Sequence, residues 1–286
     1  MSDVRQPRSR KVSVPVGDAK IGLRILVWGE PKGKPPVVCV HGLTRNARDF
    51  DPLAVALSTE RQVICPDVAG RGQSDWLADP DHYQVPVYAS HLLALLAQLD
   101  LDEVDWVGTS MGGLIAMEIA ASERSPIRRL VLNDVGPFVP YASLELIKHY
   151  LGLDLRFPDI EAIENHFRFI HAGFGDLTAE QWRNLAEHSS RPLSDGGYAL
   201  AYDPLIREPF IAGVREDIDV WHLYDRITCP TLVLRGAESE LLSAEVAQAM
   251  TERGPKAELV TFAEIGHAPA LMDPEQIGVV RDFLVR

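Results

Sequence analysis

The chain has 286 residues, of which 46% are apolar. That is the composition of an ordinary soluble globule and about twice the length a single core usually occupies, so one large domain with an insertion, or two domains, is expected. Its 28 basic and 41 acidic side chains leave a net charge of −13, and the average field therefore repels nucleic acid and anionic lipid. Cys39, Cys65 and Cys229 are odd in number, far apart and set in apolar runs. A disulfide framework and a zinc cluster both lack raw material, which fits a reducing compartment. No apolar stretch approaches the ~18 residues that span a bilayer. The first residues, MSDVRQPRSRK, are basic without a following apolar region, so residues 1–11 read as a mobile tail and the cytoplasm is the expected location.

In chain order, KVSVPV (11–16) and IGLRILVWG (21–29) predict an antiparallel hairpin at a sheet edge. From Val37 onward, short apolar runs ending in glycine, aspartate or serine alternate with segments of helical spacing. PPVVCVHG (35–42), RQVICPDVAG (61–70), DEVDWVGTS (102–110) and IRRLVLNDVG (127–136) read as buried strands, with helices over 89–99 and 113–121. TLVLRG (231–236) and AELVTFAEIG (257–266) complete the series. This alternation predicts an α/β protein whose parallel strands are joined by crossover helices. Residues 137–228 break it: they are aromatic-rich, helically spaced and without a convincing buried strand. A core of 12–136 and 229–286 with a helical insertion at 137–228, lying over one end of the sheet, is the expected organisation. No internal repeat is present.

The sharpest motif is Gly108-Thr109-Ser110-Met111-Gly112, a G-x-S-x-G directly after a buried strand and before a helix. The turn is so tight that side chains two positions either side of the serine would collide with strand and helix. Ser110 is thereby held in a strained geometry at the carboxyl edge of the sheet. A serine hydroxyl needs a base, and the base an orienting acid. Of nine histidines, only His267 follows a late strand through a glycine; the pair His166 and His171 is badly spaced for a shared metal, and His41 reads as a loop brace. The acid has three candidates: Glu240 is preferred, in the loop after TLVLRG; Asp134, at the end of the preceding strand, is the alternative; and Glu238 shares the loop of Glu240. Backbone N–H groups of Leu43 and Met111 are placed to receive an oxyanion, and Phe138 is the candidate substrate contact among the aromatics of the insertion.

HGL at 41–43, DVAGRGQSDW at 67–76, GTSMGG at 108–113, VLNDVGP at 131–137 and GH at 266–267 together resemble the α/β-hydrolase superfamily, specifically its capped members. The resemblance spans nearly the whole chain after the tail. It implies an eight-stranded, mostly parallel sheet with a helical cap inserted after the sixth strand, and Ser110, Glu240 and His267 as nucleophile, acid and base. Relatives commonly carry aspartate where Glu240 stands. Thr109 and Ala268 occupy positions where the family's carbon–carbon bond hydrolases usually carry asparagine and tryptophan, and its dehalogenases and epoxide hydrolases use an aspartate nucleophile where Ser110 stands. The implied activity is hydrolysis of small to medium carboxylic esters, with polyester oligomers and lactones compatible with the same machinery. A lactonase, an aminopeptidase or a carbon–carbon hydrolase of the same fold, and a small-molecule receptor, are the alternatives. No cofactor or metal is expected, and no nucleic acid or membrane partner; the partner is a small ester, and the chain is expected as a monomer or homodimer.

Overall fold

The computed structural model describes residues 6–16 and 19–286. Strands β1 (Arg8–Val16) and β2 (Ala19–Trp28) form the expected edge hairpin. The sheet continues with β3 (Val37–Val40), β4 (Val63–Pro66), β5 (Val104–Thr109) and β6 (Ile127–Asn133). Helices α1 (Asp51–Leu57), α2 (Val85–Gln98) and α3 (Met111–Ala120) connect them. The expected tail over 1–11 needs correction at its end: residues 1–5 lie outside the described residues, but Arg8 to Lys11 pair with Val27 to Arg24. The exposed Arg8, Ser9, Arg10 and Lys11 form an edge strand without an apolar run, as the charged edge of an antiparallel pair can.

After β6 comes a long excursion: β7 (Phe138–Val139), α4 (Tyr141–Tyr150), α5 (Ile160–Ile170), α6 (Ala179–His188), β8 (Ser190–Pro192), β9 (Tyr198–Leu200), α7 (Arg207–Gly213), β10 (Ile218–Asp219) and α8 (Trp221–Tyr224). The chain then returns through β11 (Thr231–Gly236), α9 (Ala244–Met250), β12 (Glu258–Phe262) and α10 (Pro274–Val285). The excursion is mainly helical, with two short ribbons, β7 with β10 and β8 with β9. These are too short to show as apolar runs in sequence.

The eight-stranded sheet runs β1-β2-β4-β3-β5-β6-β11-β12, antiparallel only at β1 and β2. Successive residues of β3 face opposite sides: Val38 and Val40 pack with Leu92, Leu95, Ile115 and Met250 of α2, α3 and α9, while Val37 and Cys39 pack with Leu53, Leu57 and Phe283 of α1 and α10. A sheet covered on both faces needs continuous apolar strands, and that is why β3 and β4 are uniformly buried. The excursion has its own small core of Ile163, Phe167, Trp182, Leu185 and Ala186. It is tied to the sheet by the Gly72 N–H on Ala201 O at 2.8 Å, Tyr83 Oη on Asp203 Oδ2 at 2.6 Å, and the Gly266 N–H on Gly173 O at 2.8 Å. Among the described residues no helix is long and apolar enough to cross a membrane, and the three cysteines are unpaired.

Candidate active site

Ser110 sits between β5 and α3 with φ 52° and ψ −117°, a region L residues rarely enter. The flanking glycines make that turn possible. A Cβ on Gly108 would stand 2.4 Å from Gly112 O, and one on Gly112 2.0 Å from Val40 O. The turn therefore packs α3 against β3 at backbone distance.

The serine hydroxyl donates to His267 Nε2 at 3.0 Å, and His267 Nδ1–H donates to Asp134 Oδ2 at 2.7 Å. Asp134 follows β6 with a positive φ of 54° and is fully buried. Its Oδ1 accepts the Gly236 N–H at 2.8 Å, and its Oδ2 also accepts the Ser239 hydroxyl at 2.6 Å. A buried carboxylate is tolerable only with such donors. The preferred acid of the sequence reading is placed elsewhere. Glu240 is exposed, and what it contributes is its backbone carbonyl, which accepts the Ser143 hydroxyl at 2.5 Å. Glu238 is likewise exposed. The loop after β11 thus supplies donors to the acid rather than the acid itself, and the geometry corrects Glu240 to Asp134 as the partner of His267. Asn133 Nδ2 bridges Thr109 Oγ1 at 3.0 Å and Pro269 O at 2.9 Å, tying the turn that carries the serine to the loop that carries the histidine.

Leu43 and Met111, the expected oxyanion donors, line one cavity together with Ser110. Gly42 lies against the serine, for a Cβ there would be 3.7 Å from Ser110 Cβ. Among the described residues neither the Leu43 nor the Met111 amide has an internal acceptor. The Leu43 peptide is held at both carbonyls. His41 Nδ1–H donates to Gly42 O at 2.7 Å, and Arg71 Nε donates to Leu43 O at 2.8 Å. Because Nε2 of His41 accepts the Val68 N–H at 3.0 Å, the ring is neutral and bridges two loops.

Burial, opposed only by the Gly42 contact, pushes His41 down from 6.5 to about 3. Below about pH 6.5 the unfolded chain takes up a proton here that the native chain refuses until about pH 3. Stability therefore rises with pH across that window, by about 1.4 kcal/mol per unit for one such group. Burial also lowers His91 and His188, each to about 4, with the same sign. Urea unfolding at pH 7 and pH 5 is expected to show the protein losing about 2 kcal/mol more on acidification than His41→Asn does. Parallel losses in the two proteins would contradict the neutral bridge.

Two cavities meet at the serine. One, about 460 Å³, contains His267, Ser110 and Leu43 together with Arg45, Asp49, His171 and the two exposed glutamates. The other, about 530 Å³, shares Ser110 and Leu43 but is walled by apolar side chains including Met111, Leu114, Val139, Ile206 and Phe210. Phe138, the sequence candidate for substrate contact, lines neither. It is adjacent to Val139 in β7, and the period of a strand turns neighbouring side chains to opposite faces. Sequence reasoning also missed Ser239, Asn133, Arg45 and Arg71, each of which acts through a contact far apart in the chain. His171, singled out in the sequence only for its poor metal spacing with His166, stacks on Phe174 with ring centres 4.4 Å apart and opens on the first cavity. No group of three metal-ligating side chains exists among the described residues.

A hydroxyl, an imidazole and a buried carboxylate in one hydrogen-bonded line, beside two free amides, form an arrangement able to activate an oxygen nucleophile and stabilise an oxyanion. The family model of the alpha/beta hydrolase fold matches residues 35–274. This chain belongs to that family, and it is a hydrolase. It is 44% identical over 264 residues to the 3-hydroxybutyrate-oligomer hydrolase of Cupriavidus necator, a match covering 90% of each chain. Among solved structures, a putative hydrolase from Rickettsia typhi is similar at TM-score 0.90 and 31% identity, covering 98% of this chain and 99% of that one. An alpha/beta hydrolase from Novosphingobium aromaticivorans matches at TM-score 0.89 and 38% identity, covering 98% of both chains.

Proposed function

We propose that the protein is a serine ester hydrolase that cuts short linear esters of 3-hydroxy acids through an acyl-enzyme on Ser110. The observation that carries this reading is the unbroken line Asp134–His267–Ser110 opening where two cavities meet. The identity with a 3-hydroxybutyrate-oligomer hydrolase supports the substrate class.

Ser110 Oγ attacks the ester carbonyl as His267 Nε2 takes its proton. Asp134 holds the Nδ1–H tautomer and offsets the imidazolium charge. The carbonyl oxygen becomes an oxyanion between the Leu43 and Met111 amides. His267 then gives the proton to the departing alkoxide, and water repeats the sequence to release the acid. Because Nε2 must reach the leaving oxygen, the alcohol portion occupies the cavity that contains His267. The acyl portion extends past Met111 into the apolar cavity. Residues 137–228 act as the cap, contributing walls to both.

A fluorophosphonate, which reacts with activated serines, tests the reading. It is expected to add one phosphonyl group, found on Ser110 by peptide mass, and to remove hydrolysis of nitrophenyl butyrate and of linear 3-hydroxybutyrate trimer in proportion. Full activity in completely labelled protein, or labelling at another serine, would overturn it.

A further inference from the structure

The alcohol-side cavity carries a charged group that ester chemistry alone does not require. Arg45, two residues past the oxyanion loop, has a side chain only 7% exposed, yet it lines the same cavity as Ser110 and His267. Its Cγ and the Ser110 Cβ each lie 3.7 Å from the point where a Gly42 Cβ would stand, so the two side chains flank one glycine. Asp49 fixes the guanidinium plane through Nε and Nη2, both at 2.8 Å, and the Phe167 ring packs on its face with 4.8 Å between Cζ and the ring centre. Among the described residues Nη1 has no acceptor, so the remaining edge of the fork is unused.

His171 lines this cavity too. Loss of solvent, reinforced by the charges of Arg45, His166 and His267, holds its ring well below the ordinary imidazole value. It is therefore a neutral ring that can present one N–H beside the guanidinium. A pre-oriented guanidinium edge on a side chain largely removed from solvent favours a carboxylate over any neutral group. Of the three carboxylates that line this cavity, Asp49 is engaged on one edge of Arg45 through two hydrogen bonds and leaves the other edge to a second carboxylate, while Glu238 and Glu240 stand exposed on the rim, where water and salt screen them.

We propose that Arg45, with His171 beside it, binds the free carboxylate of the substrate's alcohol portion, so that the enzyme cleaves the ester bond next to the carboxyl end of a chain. This rests on the ester-hydrolase reading and on its placement of the alcohol side. In a linear 3-hydroxy acid oligomer the last unit is an alcohol whose carboxylate carbon is three bonds from the ester oxygen, and so enters the cavity with it. Attack by Ser110 breaks the bond between the carbonyl carbon and that oxygen. His267 protonates the oxygen, one free 3-hydroxy acid leaves, and water then frees the shortened chain.

Steady-state hydrolysis of the linear 3-hydroxybutyrate dimer and of its methyl ester provides the test, with nitrophenyl butyrate as a substrate that has no carboxylate. The wild type is expected to favour the free acid over the methyl ester by about tenfold or more in kcat/KM, chiefly through KM, since a hydrogen bond to a charged group carries about that discrimination. Arg45→Gln is expected to bring the ratio near one, and Arg45→Lys to retain part of it. Equal rates on acid and methyl ester by the wild type would overturn the inference without any variant, so a misfolded Arg45→Gln cannot shelter it. An unchanged ratio in folded Arg45→Gln would overturn it as well. If nitrophenyl butyrate is cleaved while the acid is not preferred, this inference alone fails; if no ester is cleaved, the reading beneath it fails too.

Discussion

Asp134→Asn is expected to lower kcat for ester hydrolysis by about 10⁴-fold, the scale seen when a serine hydrolase loses the acid behind its histidine. Glu240→Gln is expected to stay within about twofold of wild type. The asymmetry follows from where the carboxylates stand. Asp134 is fully buried and accepts three hydrogen bonds, from His267, Gly236 and Ser239. Its amide replacement keeps the shape but can turn its NH₂ toward Nδ1, which then becomes an acceptor, leaving the proton on the nitrogen that must receive one from Ser110. Glu240 sits in water with its side chain off that line. Parallel steady-state kinetics on nitrophenyl butyrate, with thermal unfolding to confirm that both variants fold, check the result. A deep loss at Glu240 with little at Asp134 would reverse the assignment.

The reason the sequence favours Glu240 over Asp134, the carboxylate that stands beside His267, is topological. The strands β6 and β11 are neighbours in the sheet, so the loops after both reach the same place above His267. A sequence shows two carboxylate-bearing loops and no depth. What separates them is that Asp134 turns inward on a left-handed residue, while Gly236 and Ser239 from the other loop point donors at it. The serine and histidine were legible because their signals are local: paired glycines whose absence of Cβ atoms is forced by Val40 O and Gly112 O, and a histidine following a late strand through one glycine. The strands were legible because a sheet covered on both faces demands uninterrupted apolar runs.

The cavity walls were not legible for a different reason. They come from β7, α4, α7 and the loops around them, elements whose position over the sheet depends on long-range contacts such as Tyr83 with Asp203 and Gly266 with Gly173. Shifting the register of a two-residue strand by one exchanges Phe138 for Val139 at the wall. Arg45 had no signal either. It reads as an ordinary surface arginine until Asp49 and Phe167 are seen to hold it inside.

Replacing Ser110 separates chemistry from strain. Ser110→Ala and Ser110→Gly are both expected to lose about 10⁶-fold in kcat, because each removes the hydroxyl proposed as nucleophile. Their stabilities are expected to differ. Both lose the hydroxyl bonded to His267, so that contribution cancels between them. Alanine keeps a Cβ at φ 52° and ψ −117°, a conformation that costs an L residue about 1–3 kcal/mol. Glycine removes that cost while adding about 0.5–1 kcal/mol of unfolded-state entropy. The glycine variant is therefore expected to be the more stable of the two by about 1 kcal/mol, or about 2–4 °C in Tm for a domain of this size. The sign matters more than the size. If the alanine variant melts at the same temperature or higher, the serine turn is not held under strain. If glycine wins, the hydroxyl is kept at the meeting point of the two cavities by the surrounding packing of α3 against β3, against the preference of its own backbone.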